Sequence, residues 1–236
     1  MKRTSLIVIT ALLVVVLLSG CIGAIATETR EVSGFNAVSI NTFGEFEIRQ
    51  GDTESLTISA PSDFLRSIET NVENSTLTIN TRRGFIGAPT RRVEYFLTVK
   101  DLNSLHLSGA GVMKIVDGLQ TTTFSLNLSG AGSIEIDDLT ATNLSVNLSS
   151  AGVIVIAGRV ENQSVNLSGV GSYEGSDLQS KTASVNLSGA GSATIWATES
   201  LDVTVSRVGS IGYYGTPRVT QNISGLGSVN SKGEHR

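Results

Sequence analysis

From residue 104 to residue 231, apolar and polar positions alternate in short runs, and each run breaks at a corner of serine and glycine. In the copy from Leu126 to Leu139, Leu126 and Leu128 alternate with Asn127, and Ile134 and Ile136 alternate with Ser133 and Glu135. This period of two on both sides of Ser129-Gly130-Ala131-Gly132 predicts two short strands, apolar side chains inward, joined at a tight corner. Asp137-Asp138 predicts the next turn. The phrase occurs seven times, with first serines at Ser108, Ser129, Ser149, Ser168, Ser188, Ser206 and Ser224, so the steps are 21, 20, 19, 20, 18 and 18 residues.

A period near 20 with strand chemistry in every copy is the signature of a solenoid. The second glycine recurs throughout (Gly111, Gly132, Gly152, Gly171, Gly191, Gly209 and Gly227), which predicts either positive φ or a very close backbone approach. The residue between the glycines is Ala, Val or Leu, and its apolar character predicts that it points inward. One such coil cannot bury its own apolar face, so stability requires stacking, with parallel strands in successive rungs about 4.8 Å apart. The predicted fold is all-β: a single-stranded right-handed parallel β-helix, or β-solenoid, of about 20-residue rungs over residues 104–231.

Residues 31–103 read as a less regular N-terminal β segment. Val38 to Ile48 matches the repeat, Gly44 included, and predicts an entry rung; residues 61–68 have room for one helical turn. The tail, residues 232–236, is polar and is expected to protect the open end of the stack.

The chain begins with Lys2 and Arg3 and an apolar run from Leu6 to Leu18, about 13 residues where a bilayer span needs about 20. Leu18-Ser19-Gly20-Cys21 resembles a lipoprotein signal sequence, which predicts a signal peptide over residues 1–20, lipidation at Cys21 and a tether over residues 21–30. The protein is then expected to be exported and held on the extracytoplasmic side of a membrane by its lipid anchor. Cys21 is also the single cysteine, so neither a disulfide framework nor a thiolate metal site is available. Of 17 basic residues two lie in the leader, which leaves 15 against 21 acidic ones, a balance that excludes a dedicated nucleic-acid binder.

Glu31-Val32-Ser33-Gly34-Phe35-Asn36-Ala37-Val38, Arg49-Gln50-Gly51-Asp52 and the serine-glycine repeats together resemble the head-GIN family, described as an autotransporter adhesin head. The similarity spans residues 31–231. It implies an exported envelope protein with a β-solenoid fold, and it supplies no catalytic residues. Phe43-Gly44-Glu45 stands where the family's name-giving Gly-Ile-Asn would fall.

Asn127, Asn147, Asn166 and Asn186 form one outward column, continued by His106, Thr204 and Asn222, and predict a side-chain ladder. Five of these positions, with Asn74, Asn143 and Asn162, also make eight Asn-x-Ser/Thr acceptor sequences. Asp117, Asp138 and Asp177 share a corner column with Asp137 beside it; Asp117 and Asp138 are a candidate calcium pair, although Asp is also ordinary turn chemistry.

Trp196 and Tyr214 share the column just before that corner, and two outward aromatics in adjacent rungs suit a sugar ring or a protein surface. Arg82, Arg83, Arg91 and Arg92 flank an irregular stretch and form a second candidate contact surface. Polysaccharide-acting enzymes on this fold need clustered outward acids under long loops, whereas these rungs are nearly minimal and carry only His106 and His235 as histidines. The sequence therefore predicts a binding or adhesive surface protein without cofactor, its partner a glycan or surface protein. The alternative is an envelope-stress or signalling component contacting a membrane partner.

Overall fold

The computed structural model describes residues 24–82 and 92–235; the leader, Cys21, Arg83 and Arg91 lie outside the described residues. The N-terminal part runs β1 (Ile25–Arg30), β2 (Ala37–Asn41), β3 (Phe43–Gln50), β4 (Ser55–Pro61), α1 (Ser62–Leu65), β5 (Ile68–Glu73), β6 (Thr76–Thr81) and β7 (Glu94–Val99). The repeats follow as β8 (Ser104–Leu107), β9 (Ala110–Val116), β10 (Leu119–Leu128), β11 (Ala131–Leu148), β12 (Gly152–Leu167), β13 (Ser172–Leu187), β14 (Ala190–Val205), β15 (Val208–Tyr214), β16 (Arg218–Ile223) and β17 (Leu226–Ser231). The single described helix is four residues long, and no described helix is long and apolar enough to cross a membrane.

The repeats stack as parallel coils of about 20 residues in a β-solenoid of about six turns. Register is kept rung by rung: Leu107, Leu128, Leu148, Leu167, Leu187, Val205 and Ile223 align, as do Met113, Ile134, Ile154, Tyr173, Ala193, Ile211 and Val229. Except for Ile223 and Val229 in the last rung, these side chains are buried. The core is thus a set of continuous apolar columns.

The entry-rung expectation holds, with a difference in order. Val38 pairs with Leu105 and Gly44 with Gly111, so β2 and β3 carry the repeat register. However, β6 and β7 stack on the other side of β2 and β3, so a later stretch of chain forms the outer coil. Residues 31–103 are therefore part of the same stack.

Antiparallel strands close this end: β5 pairs with β6, and β4 pairs with both β7 and β1. Phe64 of α1 is buried against Phe43, with ring centroids 4.8 Å apart. Residues 25–30, expected as tether, are the strand β1 in this closure.

At the serine-glycine corners the sequence expectation reverses. Ala131 and its counterparts face solvent, with Val170, Val208 and Leu226 at 68%, 54% and 83% exposure. Inward parity belongs to the second glycine, and there is no room for more. A Cβ on Gly132 would collide with the carbonyl oxygen of Gly111 in the neighbouring rung, and one on Gly152 would come 2.8 Å from Leu128 Cδ2. None of the seven second glycines has positive φ. Close approach is the reason for them.

The opposite end of the stack differs. β16 pairs only with β14 and β17 only with β15, and Ile223 at the end of its inner column is 39% exposed. Residues 232–235 of the polar tail do not lie across this end. They turn back along the side, over the corner that carries Trp196 and Tyr214.

Candidate functional site

Along one outward column the register reads Gln120, Thr140, Arg159, Gln179, Trp196 and Tyr214. Four polar side chains give way to two aromatics in the last rungs. Next to Trp196, Ala197 and Ile195 point inward and are fully buried, so the core is complete without the indole. The Trp196 carbonyl oxygen accepts a hydrogen bond from Ser180 Oγ at 2.8 Å, which fixes the backbone beneath the ring. After Tyr214, Gly215 turns the chain at φ +94°.

The tail then fills this corner. Lys232 N donates to Tyr213 O at 2.8 Å and Gly215 N donates to Gly233 O at 2.9 Å. The imidazole of His235 lies flat on Trp196, centroids 4.0 Å apart and planes 7° apart, while Tyr214 meets it edge-on at 5.4 Å and 77°. Asp177 Oδ1 stands 3.2 Å from His235 Nε2, and Lys232 Nζ sits 5.7 Å from the Tyr214 ring centre. A floor, a wall and a carboxylate thus surround one planar ring. Trp196 and Tyr214 are together as the sequence predicted. Their partner is the tail, which no residue spacing signalled.

The other predicted sites resolve differently. Asp117 sits in the left-handed region (φ 63°) before Gly118 (φ 85°), and its carboxylate pairs with Arg49 Nη1 at 2.9 Å. With Asp52, Asp101, Asp138 and Lys100 it borders an open hollow of about 550 Å³. Among the described residues no three His, Cys, Asp or Glu are placed to hold a metal ion.

Arg82 pairs with Glu69 at 2.8 Å, and Arg92 binds Glu45 through two nitrogens and reaches Glu94 at 3.3 Å. The hydrogen bonds from Arg92 hold the Glu45 carboxyl below the usual range. Arg82 and Arg92, the two of the four candidate arginines that are described, are therefore engaged by carboxylates of their own chain.

The asparagine column is a ladder over part of its length. Asn147 Nδ2 donates to Asn127 Oδ1 at 3.0 Å and Asn166 Nδ2 to Asn147 Oδ1 at 3.2 Å. A second ladder, missed in the sequence, runs from Thr182 Oγ1 to Asn162 Oδ1 (2.7 Å) and from Asn162 Nδ2 to Asn143 Oδ1 (3.0 Å). His106 Nε2 stands 3.4 Å from Ser129 Oγ on the exposed face, and among the described residues no carboxylate supports that histidine.

Inside the core a polar cluster was also missed. Gln163 Nε2 donates to Ser180 Oγ at 2.7 Å, and the buried Tyr173 hydroxyl donates to Gln163 Oε1 at 3.1 Å. Burial pushes the Tyr173 phenol well up. The available signal was the break in the columns, where Tyr and Gln stand at positions that are Ile and Leu in neighbouring rungs.

Parallel coils, closed at one end and decorated by outward columns, define a β-solenoid. The family model described as "Putative auto-transporter adhesin, head GIN domain" matches residues 34–217, and the chain belongs to that family. Its match stops at residue 217, so β16, β17 and the tail lie beyond it. The chain resembles the crystal structure of a "putative adhesin" from Bacteroides fragilis NCTC 9343 at a TM-score of 0.84 and 26% identity, covering 88% of this chain and 97% of that one. Two structures below 25% identity share the fold. A "Putative lipid binding protein" from Parabacteroides distasonis ATCC 8503 has a TM-score of 0.69 at 24% identity over 89% of this chain and 97% of that one. A "putative adhesin" from Parabacteroides merdae ATCC 43184 has 0.64 at 20% identity over 89% and 96%. Among curated proteins no relative matches the sequence.

Proposed function

We propose that this chain is a non-catalytic cell-envelope protein, lipid-anchored through Cys21, whose stiff β-solenoid presents a surface for binding or adhesion. Family membership supports the surface role, and the leader sequence ending at Cys21 supports the anchor. The observation that carries the reading is where chain-specific chemistry stands. Two outward columns are side-chain ladders, and a change from polar to aromatic residues lies at Trp196 and Tyr214, beside Asp177 on the solenoid side. The larger described hollows are open, between about 350 and 610 Å³, and neither histidine lines them.

The direct test compares attachment of cells with and without the gene to host-type and glycan-coated surfaces, alongside membrane fractionation of Cys21→Ser. Loss of attachment on deletion and release of the variant from membranes are expected. Unchanged attachment overturns the binding role, and retention of the variant in membranes overturns lipidation.

A further inference from the structure

Resting on the surface-binding reading above, we propose that Trp196, Tyr214 and Asp177 form a stacking site for a neutral sugar ring, and that the C-terminal tail occupies this site through His235 as an internal competitor. The imidazole marks the position the sugar would take. It lies on the Trp196 face at 4.0 Å and 7°, is bounded by the Tyr214 edge, and is bonded to Asp177 at 3.2 Å. A pyranose presents the same three surfaces: an apolar C–H face for the indole, a ring edge for the phenol side, and hydroxyl donors for a carboxylate.

The column argues against a purely structural role for the aromatics. Four earlier rungs carry Gln120, Thr140, Arg159 and Gln179 at the same position, and Leu119, Leu139, Val160 and Leu178 beside them are buried regardless. The seat of the tail is built as well. Glycine replaces a side chain at position 212, where a Cβ would come 2.5 Å from Lys232 Cε, and Lys232 Nζ reaches Thr194 Oγ1 at 3.4 Å.

The tail is nonetheless placed to leave. Lys232, Gly233 and Glu234 are exposed, and a few polar and ring contacts hold the segment. Weakly packed segments of this kind open at low cost. When the tail swings away, the Lys232 ammonium and the His235 ring go with it and the Asp177 carboxylate remains. The uncovered site is then unfavourable to anionic glycans and suited to neutral ones.

Trp196 is the single tryptophan of the chain, so its fluorescence reports on this site alone. The experiment titrates the full chain in a zwitterionic detergent with maltotetraose, cellotetraose and chitotetraose, for the wild type, His235→Ala, and His235→Ala combined with Tyr214→Ala or Asp177→Asn. Circular dichroism confirms the fold of each. In His235→Ala the emission should shift to the red and at least one oligosaccharide should bind about tenfold more tightly than to the wild type, the gain from removing a tethered competitor. Each second substitution should then weaken binding about tenfold. An unshifted emission in His235→Ala overturns the internal competitor. A shifted emission with no response to any of the three sugars overturns the ligand class, while the surface-binding reading stands or falls on attachment. Self-association of His235→Ala with loss of sugar response assigns the face to a second copy instead and also overturns the proposal.

Discussion

The Tyr173 hydroxyl donates a hydrogen bond to Gln163 Oε1 at 3.1 Å, joining two residues that stand ten apart in sequence, on either side of the corner that begins at Ser168. Gly175 makes this possible, since a Cβ there would meet Tyr173 Cε1 at 2.8 Å. The large ring in one rung is matched by Ala193 in the next. The polar cluster then continues through Ser180 to the backbone beneath Trp196.

Tyr173→Phe should destabilise the fold by about 1–3 kcal/mol, because it strands the buried Gln163 oxygen. Tyr95→Phe provides the contrast. The Tyr95 hydroxyl is buried and, among the described residues, makes no hydrogen bond of good geometry, so removing it should be neutral or stabilising by up to about 1 kcal/mol. Urea unfolding of the two variants beside the wild type reads both signs, and equal losses would refute the difference.

Alkaline stability should follow the same two phenols. Burial pushes Tyr95 up to about 12, with Thr42 and Arg30 opposing the shift, and Tyr173 is also raised. An unfolded tyrosine loses its proton near pH 10, so above that pH the folded state binds more protons than the unfolded one. Stability is therefore fully present below about pH 10 and falls as pH rises toward 12, with Tyr95 accounting for about 2–3 kcal/mol over that window. Unfolding midpoints measured from pH 8 to 11.5 should show this decline, and Tyr95→Phe should flatten it. A midpoint that stays constant to pH 11.5 would contradict the assignment.

Gly132→Ala should cost about 3 kcal/mol or prevent folding, because the new methyl collides with the carbonyl of the neighbouring rung and the core cannot yield without moving the stack. Gly34→Ala tests a different mechanism. Its φ is +79° and no atom lies within 4 Å of the point a Cβ would occupy, so only backbone strain of about 1 kcal/mol is expected. Thermal melts rank the pair, and a mild Gly132→Ala would refute the close-approach reading.

Asn147→Ala should lower stability by about 1–2 kcal/mol, since this residue both donates to Asn127 and accepts from Asn166. Asn186 occupies the same column but, among the described residues, makes neither bond, and Asn186→Ala should cost less than half as much. Equal effects would mean that the column acts through strand propensity and not through its amide ladder.

The stack is legible in the sequence because its strongest signal, inward alternation at a fixed period, is local and repeated. Val38 to Ile48 reads as a rung from that pattern alone. What the pattern does not carry is order along the axis: nothing local says that β6 and β7 lie outside β2 and β3, because that depends on which edge remains free after β8 has paired. The corner alanines and valines mislead for a related reason. An apolar residue between two glycines reads as inward, yet steric crowding reserves the inward position for the hydrogen of the second glycine. Trp196 and Tyr214 emerge from comparing columns. The tail over them does not, since His235 belongs to no repeat and its contacts depend on tertiary folding.

Because the inward columns continue from rung to rung while register shifts near the turns absorb differences in repeat length, length in this molecule comes in whole steps. Adding or removing one complete repeat between Ser149 and Ser168 would preserve the columns on either side and move the aromatic corner by about 4.8 Å relative to the closed end. Slipping a strand by a single residue within its pairing would instead turn its inward side chains outward. The fold is in that sense a ruler with fixed graduations, and the reach of whatever it carries at the far corner can be set by counting rungs.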